Sequence, residues 1–392
     1  MRILLCNKFY YRRGGDCVYN LNLEEILRSH GHEVAVFAMD HPETLDTRWR
    51  QFFPSEVNLS SVSSKLRFFF RSLGDRETTA KFKALLDSFD PDVVHVGNIH
   101  SQLSPIIVEI AHKRGIRVVW TLHDYKLLCP RYDCLRKGKE PCQSCFDNKC
   151  SVLRYNCMKD SLSASVMAFF EAEKWTRKRL EDSTDAFICP SRFMRDKMAQ
   201  GGFDPSRLYH LCNFIDVERC RCETCSERED YYCYVGRLSS EKGVRTLTSV
   251  ASGLPYRLVV VGDGPLMDSL PEAPYIVYTG RKDWADVKEI VRKARFLVLP
   301  SECFENNPLS VIEAKCLGTP VLGARIGGIP ELIESDSEGM CFCPGDPEDL
   351  KSSIEIMFSK QFDYEGIAAK AREEYSGESY LEKLLRIYSA HA

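Results

Sequence analysis

The stretch Phe296-Leu297-Val298-Leu299-Pro300-Ser301-Glu302-Cys303-Phe304-Glu305-Asn306-Asn307-Pro308-Leu309-Ser310-Val311-Ile312-Glu313-Ala314 moves from a short apolar run, through a polar loop, into helical spacing. The run Phe296 to Leu299 reads as a buried strand and Pro308 suits a first helical turn, so the stretch is a strand-loop-helix unit. The loop would present backbone N–H groups and the positive end of a helix to an anion. Glu305 precedes the helix and Glu313 lies inside it, and two carboxylates flanking an anion site suit a ligand that carries both phosphates and hydroxyls. An ordinary turn with two surface glutamates gives the same local pattern.

The unit repeats along the chain. In the first half strand-like runs occur at Arg2 to Cys6, Glu33 to Ala38, Asp92 to Val96, Arg117 to Leu122, Ala186 to Cys189 and Leu208 to Leu211. In the second half they occur at Tyr232 to Val235, Arg257 to Val261, Tyr275 to Tyr278, Phe296 to Leu299, Pro320 to Gly323 and Met340 to Phe342. Helical spacing fills the gaps, for example at Tyr19 to His30, Leu103 to Arg114 and Ala285 to Ala294. Alternation of this kind predicts an α/β protein with parallel sheets covered on both faces. Its 392 residues are about twice a usual domain, so two doubly wound domains are expected. The boundaries are 1–212, a polar connector at 213–230, a second domain at 231–376, and a C-terminal helix at 377–392 packing back on the first domain. Two such sheets face each other across an interdomain cleft, and ligands are expected there, at the carboxyl ends of the strands.

Composition narrows the function. With 53 Lys and Arg against 56 Asp and Glu, the net charge of −3 argues against a nucleic-acid partner. Residues 1–200 nevertheless carry 31 basic and 25 acidic side chains, so the first half would face something anionic. The opening Met1-Arg2-Ile3-Leu4-Leu5-Cys6-Asn7 turns polar at once, and no apolar run reaches the roughly 18 residues of a membrane span. A cytoplasmic chain is expected, in which the 18 Cys are thiols or metal ligands and not disulfides.

Other strand ends carry further chemistry. Val235-Gly236-Arg237-Leu238-Ser239-Ser240-Glu241-Lys242-Gly243 places a close-approach glycine and two cations after a strand, an arrangement suited to a diphosphate. Arg12-Arg13-Gly14-Gly15-Asp16 follows the first strand, where paired glycines expose N–H groups to phosphate. Trp120-Thr121-Leu122-His123-Asp124 delivers an imidazole at a strand end, able to donate to a substrate hydroxyl. Neither the G-x-G-x-x-G nor the P-loop spacing occurs, which disfavours dinucleotide oxidoreductases and P-loop enzymes.

Taken together these motifs resemble glycosyltransferase family 4, the retaining nucleotide-sugar transferases of GT-B fold. The resemblance covers nearly the whole chain: Gly14-Gly15, Asp92-Val93-Val94-His95, Thr121-Leu122-His123-Asp124, Pro190-Ser191, Asn213 to Asp216, Gly236-Arg237 with Lys242-Gly243, Gly262-Asp263-Gly264-Pro265, Glu305 with Glu313, Gly318-Thr319-Pro320-Val321, and Gly327-Gly328-Ile329-Pro330-Glu331. It implies that Arg237 and Lys242 neutralise the donor diphosphate, Glu313 accepts from ribose, Glu305 holds hydroxyls of the donor sugar, and the backbone of Asn307, Pro308 and Leu309 touches sugar and phosphates. His123 would contact the transferred sugar. Catalytic roles then fall to His123, Arg237, Lys242 and Glu305, and donor binding extends to Gly14, Gly15 and Gly236. Retention would follow a front-face course with no cofactor required. The chain departs from the family at Asn306-Asn307-Pro308, where many members have Phe-Gly, and at Gly97, where a His is common.

The resemblance implies transfer of a hexose-type sugar from a nucleoside-diphosphate donor to a hydroxyl of a glycan or polyisoprenyl-diphosphate-linked glycan, in surface polysaccharide assembly. A nucleotide-sugar epimerase on the same plan, or a catalytically silent nucleotide-sugar-binding scaffold, are the alternatives. Residues 129–160 form a cysteine-rich insertion, and Cys129, Cys134, Cys142, Cys145, Cys150 and Cys157 include a C-x2-C pair whose spacing admits a structural zinc. Cys220, Cys222 and Cys225 add thiols in the connector. Between Ser64 and Phe89, Leu66, Phe68, Phe69, Phe70 and Leu73 alternate with Lys65, Arg67 and Arg71, either a peripheral contact with the inner face of the plasma membrane or a core-facing helix with a basic outer side.

Overall fold

The computed structural model describes residues 1–57, 61–221 and 227–390. Cys222 and Cys225 of the connector lie outside the described residues. The chain divides into two units, one of Met1–Gly138, Cys142–Cys212 and Tyr380–Ala392, the other of Lys139–Pro141 and Asn213–Ser379.

The first unit holds strands β1 (Arg2–Cys6), β2 (Glu33–Phe37), β3 (Val93–Val96) and β4 (Arg117–Thr121), then two short strands of the insertion, β5 (Leu135–Arg136) and β6 (Glu140–Pro141), then β7 (Ala186–Cys189) and β8 (Leu208–His210). Its six-stranded sheet runs β2-β1-β3-β4-β7-β8 with every pair parallel. The central strands are almost wholly buried, which is why they read as unbroken apolar runs and not as alternations. The core includes Phe37, Phe82, Trp120, Phe187 and Phe203, all essentially inaccessible, and each buried ring contributes roughly 1.5–3 kcal/mol. Helices begin where the sequence supplies caps: the Ser191 hydroxyl accepts from the Met194 N–H at the start of Arg192–Gln200.

The second unit carries β9 (Tyr231–Val235), β10 (Arg257–Val261), β11 (Ile276–Gly280), β12 (Leu297–Leu299), β13 (Val321–Ala324) and β14 (Gly339–Phe342). They form a second parallel sheet, β11-β10-β9-β12-β13-β14. One side of its core is aromatic, with Tyr232 stacked on Phe296 at 5.2 Å and Phe358 edge-on to both. A buried ion pair, Lys315 to Glu338 at 3.0 Å, is completed by the Leu332 carbonyl and by Lys370. Both partners are therefore satisfied inside the core.

The two sheets change direction of winding at different places. In the first unit the chain order reverses between β1 and β3, and in the second between β9 and β12. Loops leaving the two strands that flank such a reversal diverge and open a crevice at their carboxyl ends. The loops after β1, β3, β9 and β12 are therefore the ones that position a site.

Candidate active site

In the second unit the crevice lies between the loop after β9 and the loop after β12. Gly236 donates its N–H to the Val261 carbonyl at 3.0 Å, and Leu238 donates to the Asp263 carbonyl at 2.9 Å, so the Gly262-Asp263-Gly264 turn braces the Gly236-Arg237 segment. The Tyr234 hydroxyl donates to the Arg237 carbonyl at 2.8 Å, and the Arg237 side chain is left exposed. A 3-10 turn, Ser240–Lys242, ends at Gly243 in the left-handed region (φ +67°). A Cβ there would lie 1.8 Å from the Pro300 carbonyl oxygen, so glycine is required for the two loops to approach. Glu302 N–H donates to the Glu241 carbonyl at 2.9 Å and fastens the approach.

This fastening brings Lys242 and Glu305 together. The Lys242 ammonium donates to Oε1 of Glu305 at 2.6 Å, and the Ser301 hydroxyl donates to the same oxygen, also at 2.6 Å. One carboxylate oxygen thus takes both donors and Oε2 is left to accept a hydroxyl. Burial by itself would lower the Lys242 pKa, but the Glu305 carboxylate and the nearby Cys303 outweigh it and raise it, so the ammonium is charged at neutral pH. A third loop holds Glu305 by its backbone. Gly328 N–H donates to the Glu305 carbonyl at 2.8 Å, and Gly327 (φ +61°) sits so close that a Cβ would meet that oxygen at 2.2 Å.

Asn307 is buried, and Asn213 donates two hydrogen bonds to it. The Asn213 N–H donates to Oδ1 of Asn307 and the Asn213 side-chain amide donates to the Asn307 carbonyl, both at 3.0 Å. Pro308 then caps the helix Leu309–Cys316, whose N-terminal amides follow directly. Glu313 lies one turn inside that helix, partly buried. Its carboxyl is pushed up to about 7 by burial, with Arg219 opposing. A carboxylate poised at neutral pH and lacking a strong partner suits a ligand that donates hydroxyls.

In the first unit Lys8 and Asn98 interlock after β1 and β3: Lys8 N–H donates to the Asn98 carbonyl at 2.8 Å and Asn98 N–H donates to the Asn7 side chain at 2.9 Å. Gly14 precedes the helix Gly15–Ser29, and Asp16 in its first turn accepts from Asn98 at 3.3 Å. His123 follows β4, its ring 4.7 Å from that of Tyr19 and nearly edge-on. Its Nε2 is buried and makes no hydrogen bond among the described residues. Burial lowers its pKa to about 4, Asp16 opposing and Lys8 adding, so the ring is neutral.

The structure therefore places Gly236, Arg237, Lys242, Glu305, Asn307, Pro308, Leu309 and Glu313 in the second unit, after β9 and β12, and Gly14, Gly15 and His123 in the first, after β1 and β4. Sequence reasoning assigned no role to Ser301, Lys8 or Asn98. Each lies within two residues of the end of a strand beside a reversal, and that position was the available signal.

Comparison with known proteins decides what this architecture belongs to. Residues 13–219, more than half of the chain, match the family described as Glycosyltransferase Family 4, and residues 223–374 match Glycosyl transferases group 1. The chain belongs to glycosyltransferase family 4. The glycosyltransferase is 26% identical to a GDP-mannose-dependent alpha-mannosyltransferase of Mycobacterium tuberculosis over 93% of this chain and 90% of that one. It is 34% identical to the sulfoquinovosyl transferase SQD2 of Arabidopsis thaliana over 50% of this chain, a stretch that spans only 42% of SQD2. Among solved structures it resembles the lipopolysaccharide outer core galactosyltransferase WaaB, with TM-score 0.67, 16% identity and 99% of each chain covered. It also resembles Anabaena Alr3699/HepE in complex with UDP-glucose, with TM-score 0.66, 15% identity, and 98% of this chain and 99% of that one covered. These likenesses make the glycosyltransferase a GT-B protein with two Rossmann-like units.

The zinc site expected in the insertion of this glycosyltransferase finds no support among the described residues. Among the described residues no three Cys, His, Asp or Glu side chains are arranged to hold a metal ion, and all the described cysteines are free thiols. Cys129, Cys134, Cys145 and Cys157 are buried, Cys142 is half-buried and Cys150 is exposed. Cys145 and Cys157 instead join Val152 and Ala168 in a small apolar core, so sulfur serves here as packing. The segment from Ser64 is mixed: Phe82, Leu85, Leu86 and Phe89 on the helix Arg76–Phe89 are buried, as in a core-facing helix. Leu66 and Phe70, one turn apart on the helix Val62–Ser72, are exposed, whereas Arg71 is fully buried against Asp75, Glu77 and two backbone carbonyls. Among the described residues no helix is long and apolar enough to cross a membrane.

Proposed function

We propose that this glycosyltransferase moves a hexose-type sugar, with retention, from a nucleoside-diphosphate donor to a hydroxyl of a glycan or lipid-linked glycan. The observation that carries the reading is the convergence of Lys242 and Ser301 on one oxygen of Glu305 beside a helix N-terminus, at the reversal of a parallel sheet. Lys242 and Arg237 compensate the diphosphate, including the charge that grows as the anomeric C–O bond breaks. Oε2 of Glu305 accepts from a sugar hydroxyl, the backbone of Asn307 to Leu309 lines sugar and phosphate, Gly236 admits the diphosphate, and Glu313 accepts from ribose.

The neutral imidazole of His123, with an unpartnered Nε2, is assigned to a hydroxyl of the sugar being transferred. Gly14 and Gly15 supply N–H groups on the same unit. In the bond exchange the anomeric carbon loses the phosphate oxygen and gains the acceptor oxygen on the same face, and the acceptor proton passes to the departing phosphate. Glu305 is held by Lys242 and is not the nucleophile of a two-carboxylate scheme.

Support for the donor class comes from HepE, a structural relative described with bound UDP-glucose. A relative 24% identical over 85% of this chain is described as lying in the cps region of Klebsiella pneumoniae, which supports a place in surface polysaccharide assembly. Exposed Leu66 and Phe70 beside Lys65 support peripheral contact with the inner membrane face, where a polyisoprenyl-diphosphate acceptor would sit. Thermal-shift measurements with UDP-, GDP- and ADP-sugars test the reading, since a ligand at about 100 times its Kd adds about 2.7 kcal/mol. A donor that shifts Tm and releases its nucleoside diphosphate on addition of a glycan acceptor supports it. Absence of a shift with every nucleotide sugar overturns it in favour of a different ligand class.

A further inference from the structure

A chain of buried hydrogen bonds runs behind His123. The Tyr388 hydroxyl meets Nδ1 of His95 at 2.5 Å, Nε2 of His95 meets the Thr121 hydroxyl at 2.8 Å, and Thr121 meets the Tyr19 hydroxyl at 3.3 Å. Tyr19 in turn bonds the Tyr380 hydroxyl. Tyr380 and Tyr388 come from the last helix, Gly377–Ser389, while Tyr19, His95 and Thr121 come from the helix Gly15–Ser29 and from β3 and β4. All five side chains are at most 3% exposed. Rings follow the same path: Tyr19 stands edge-on to Tyr380 at 5.9 Å and to His123 at 4.7 Å, and His95 stands edge-on to Tyr388 at 5.7 Å.

Buried hydroxyls demand partners, and these five groups supply them to one another. Burial lowers the pKa of His95 to about 3, so its neutral ring has one donor and one acceptor nitrogen. One of Tyr388 and Thr121 therefore donates to the ring and the other accepts from it. Such a chain holds the Tyr19 hydroxyl, and with it the far end of the buried ring. The Tyr19 and His123 rings meet at an interplanar angle of 65°, and aromatic pairs prefer such edge-to-face arrangements, so a shift of the Tyr19 ring is felt by the imidazole.

We propose that Tyr19 is a positioning residue for His123, and that the last helix sets the plane of the His123 imidazole through the Tyr388–His95–Thr121–Tyr19–Tyr380 chain. The proposal rests on the assignment of His123 to the transferred sugar, and it adds that residues from the end of the chain decide where Nε2 points. A displacement of about 1 Å at a reacting group costs up to about 100-fold in rate, so loss of the anchor would be read in turnover and not in donor affinity.

The test compares Tyr380→Phe, which keeps the packing and removes one hydroxyl, with Tyr19→Leu, which removes the ring. Side-chain NMR of the His123 imidazole, assigned through His123→Gln, is followed in the full chain without ligand. Both variants are expected to shift or broaden the His123 signals while His41 and His112, which lie outside the chain, keep theirs. Unchanged His123 signals in both variants overturn the positioning role. In parallel, transfer from the donor found by thermal shift is measured in a double-mutant cycle. Tyr380→Phe is expected to lower kcat by about tenfold with donor KM within about twofold, and to have no further effect on top of His123→Ala. Fully additive losses overturn the link to catalysis. Intact transfer in His123→Ala would instead overturn the role of His123, and the imidazole signals would still report whether Tyr19 positions it.

Discussion

Lys242 reaches Oε1 of Glu305 at 2.6 Å from the neighbouring loop, and the bond joins the segments after β9 and β12. The cation that would meet a diphosphate and the carboxylate that would meet a sugar are thereby one unit. Removing either disturbs the other, so the two substitutions are not expected to add.

Lys242→Ala removes charge from the leaving diphosphate and frees Glu305 to turn. A loss of roughly 10²–10³ in kcat is expected, the range found when one donor of a charge-stabilising site is removed. Glu305→Gln keeps a carbonyl oxygen for Ser301 and Lys242 but loses the charge, and its loss should be smaller. Steady-state transfer assays on the two singles and the double check this, and a fully additive double would contradict the shared unit.

Nucleotide binding should depend on pH through Glu313. Burial pushes its carboxyl up to about 7, and a ribose hydroxyl bound there, as proposed, would donate to the ionised form. Affinity for UDP, taken as the probe, should therefore rise with pH and flatten above about 7, falling about tenfold per unit below it. Calorimetric Kd values from pH 5.5 to 8.5 would show this slope, and Glu313→Gln should abolish it. An unchanged slope in that variant removes Glu313 from the ribose site.

Gly327→Ala places a methyl against the Glu305 carbonyl, at a left-handed position. The expected cost is about 1–3 kcal/mol of stability together with a loss of transfer, because the loop carrying Glu305 must move. Denaturant unfolding and transfer assays read the two effects. A variant as active and as stable as the parent would show that the Gly327 loop does not set Glu305.

Acid should destabilise the first unit. Burial lowers the pKa of His95 to about 3, of His123 to about 4, and of His100 well below its usual 6.5. The unfolded chain then binds more protons, so this stability is present above about 6.5 and is lost as pH falls toward 4. Glu313 works in the opposite sense, because its raised pKa favours the folded state below about 4.5 and that gain is lost as pH rises through about 7. Tm should fall between pH 7 and 4.5, and more steeply in Glu313→Gln. A Tm that stays flat in both forms would contradict these shifts.

The twelve strands of the two sheets were legible because strands buried on both faces leave unbroken runs such as Val93-Val94-His95-Val96 and Arg257-Leu258-Val259-Val260-Val261. The loops after β9 and β12 were legible because glycines, cations and carboxylates gathered at the carboxyl ends of strands are the residue types that an anionic, hydroxyl-bearing ligand demands. Ser301 was not, since a hydroxyl gains its role only from the oxygen it meets across four residues of loop. The insertion was least legible. Tyr132, Cys134, Lys137, Asn156, Lys159 and Asp160 all take left-handed backbone without being glycine, and β5 and β6 are two residues each, too short to leave a period. Exposed Leu66 and Phe70 beside a buried Arg71 invert the usual pattern, because a guanidinium with four partners is stable inside.

The residues that assemble the crevice of the second unit, from Asn213 through Lys242, Ser301, Glu305 and Asn307 to Gly327, fall within the single continuous block Asn213–Ser379. Inheritance of such a site is modular. Under the proposed function, a recombination that exchanges this block between relatives would carry over a whole donor specificity at once, while the tyrosines of the last helix, Tyr380 and Tyr388, would remain with the first unit. Chimaeras joined at 213 and 379 would therefore change the donor and keep the acceptor.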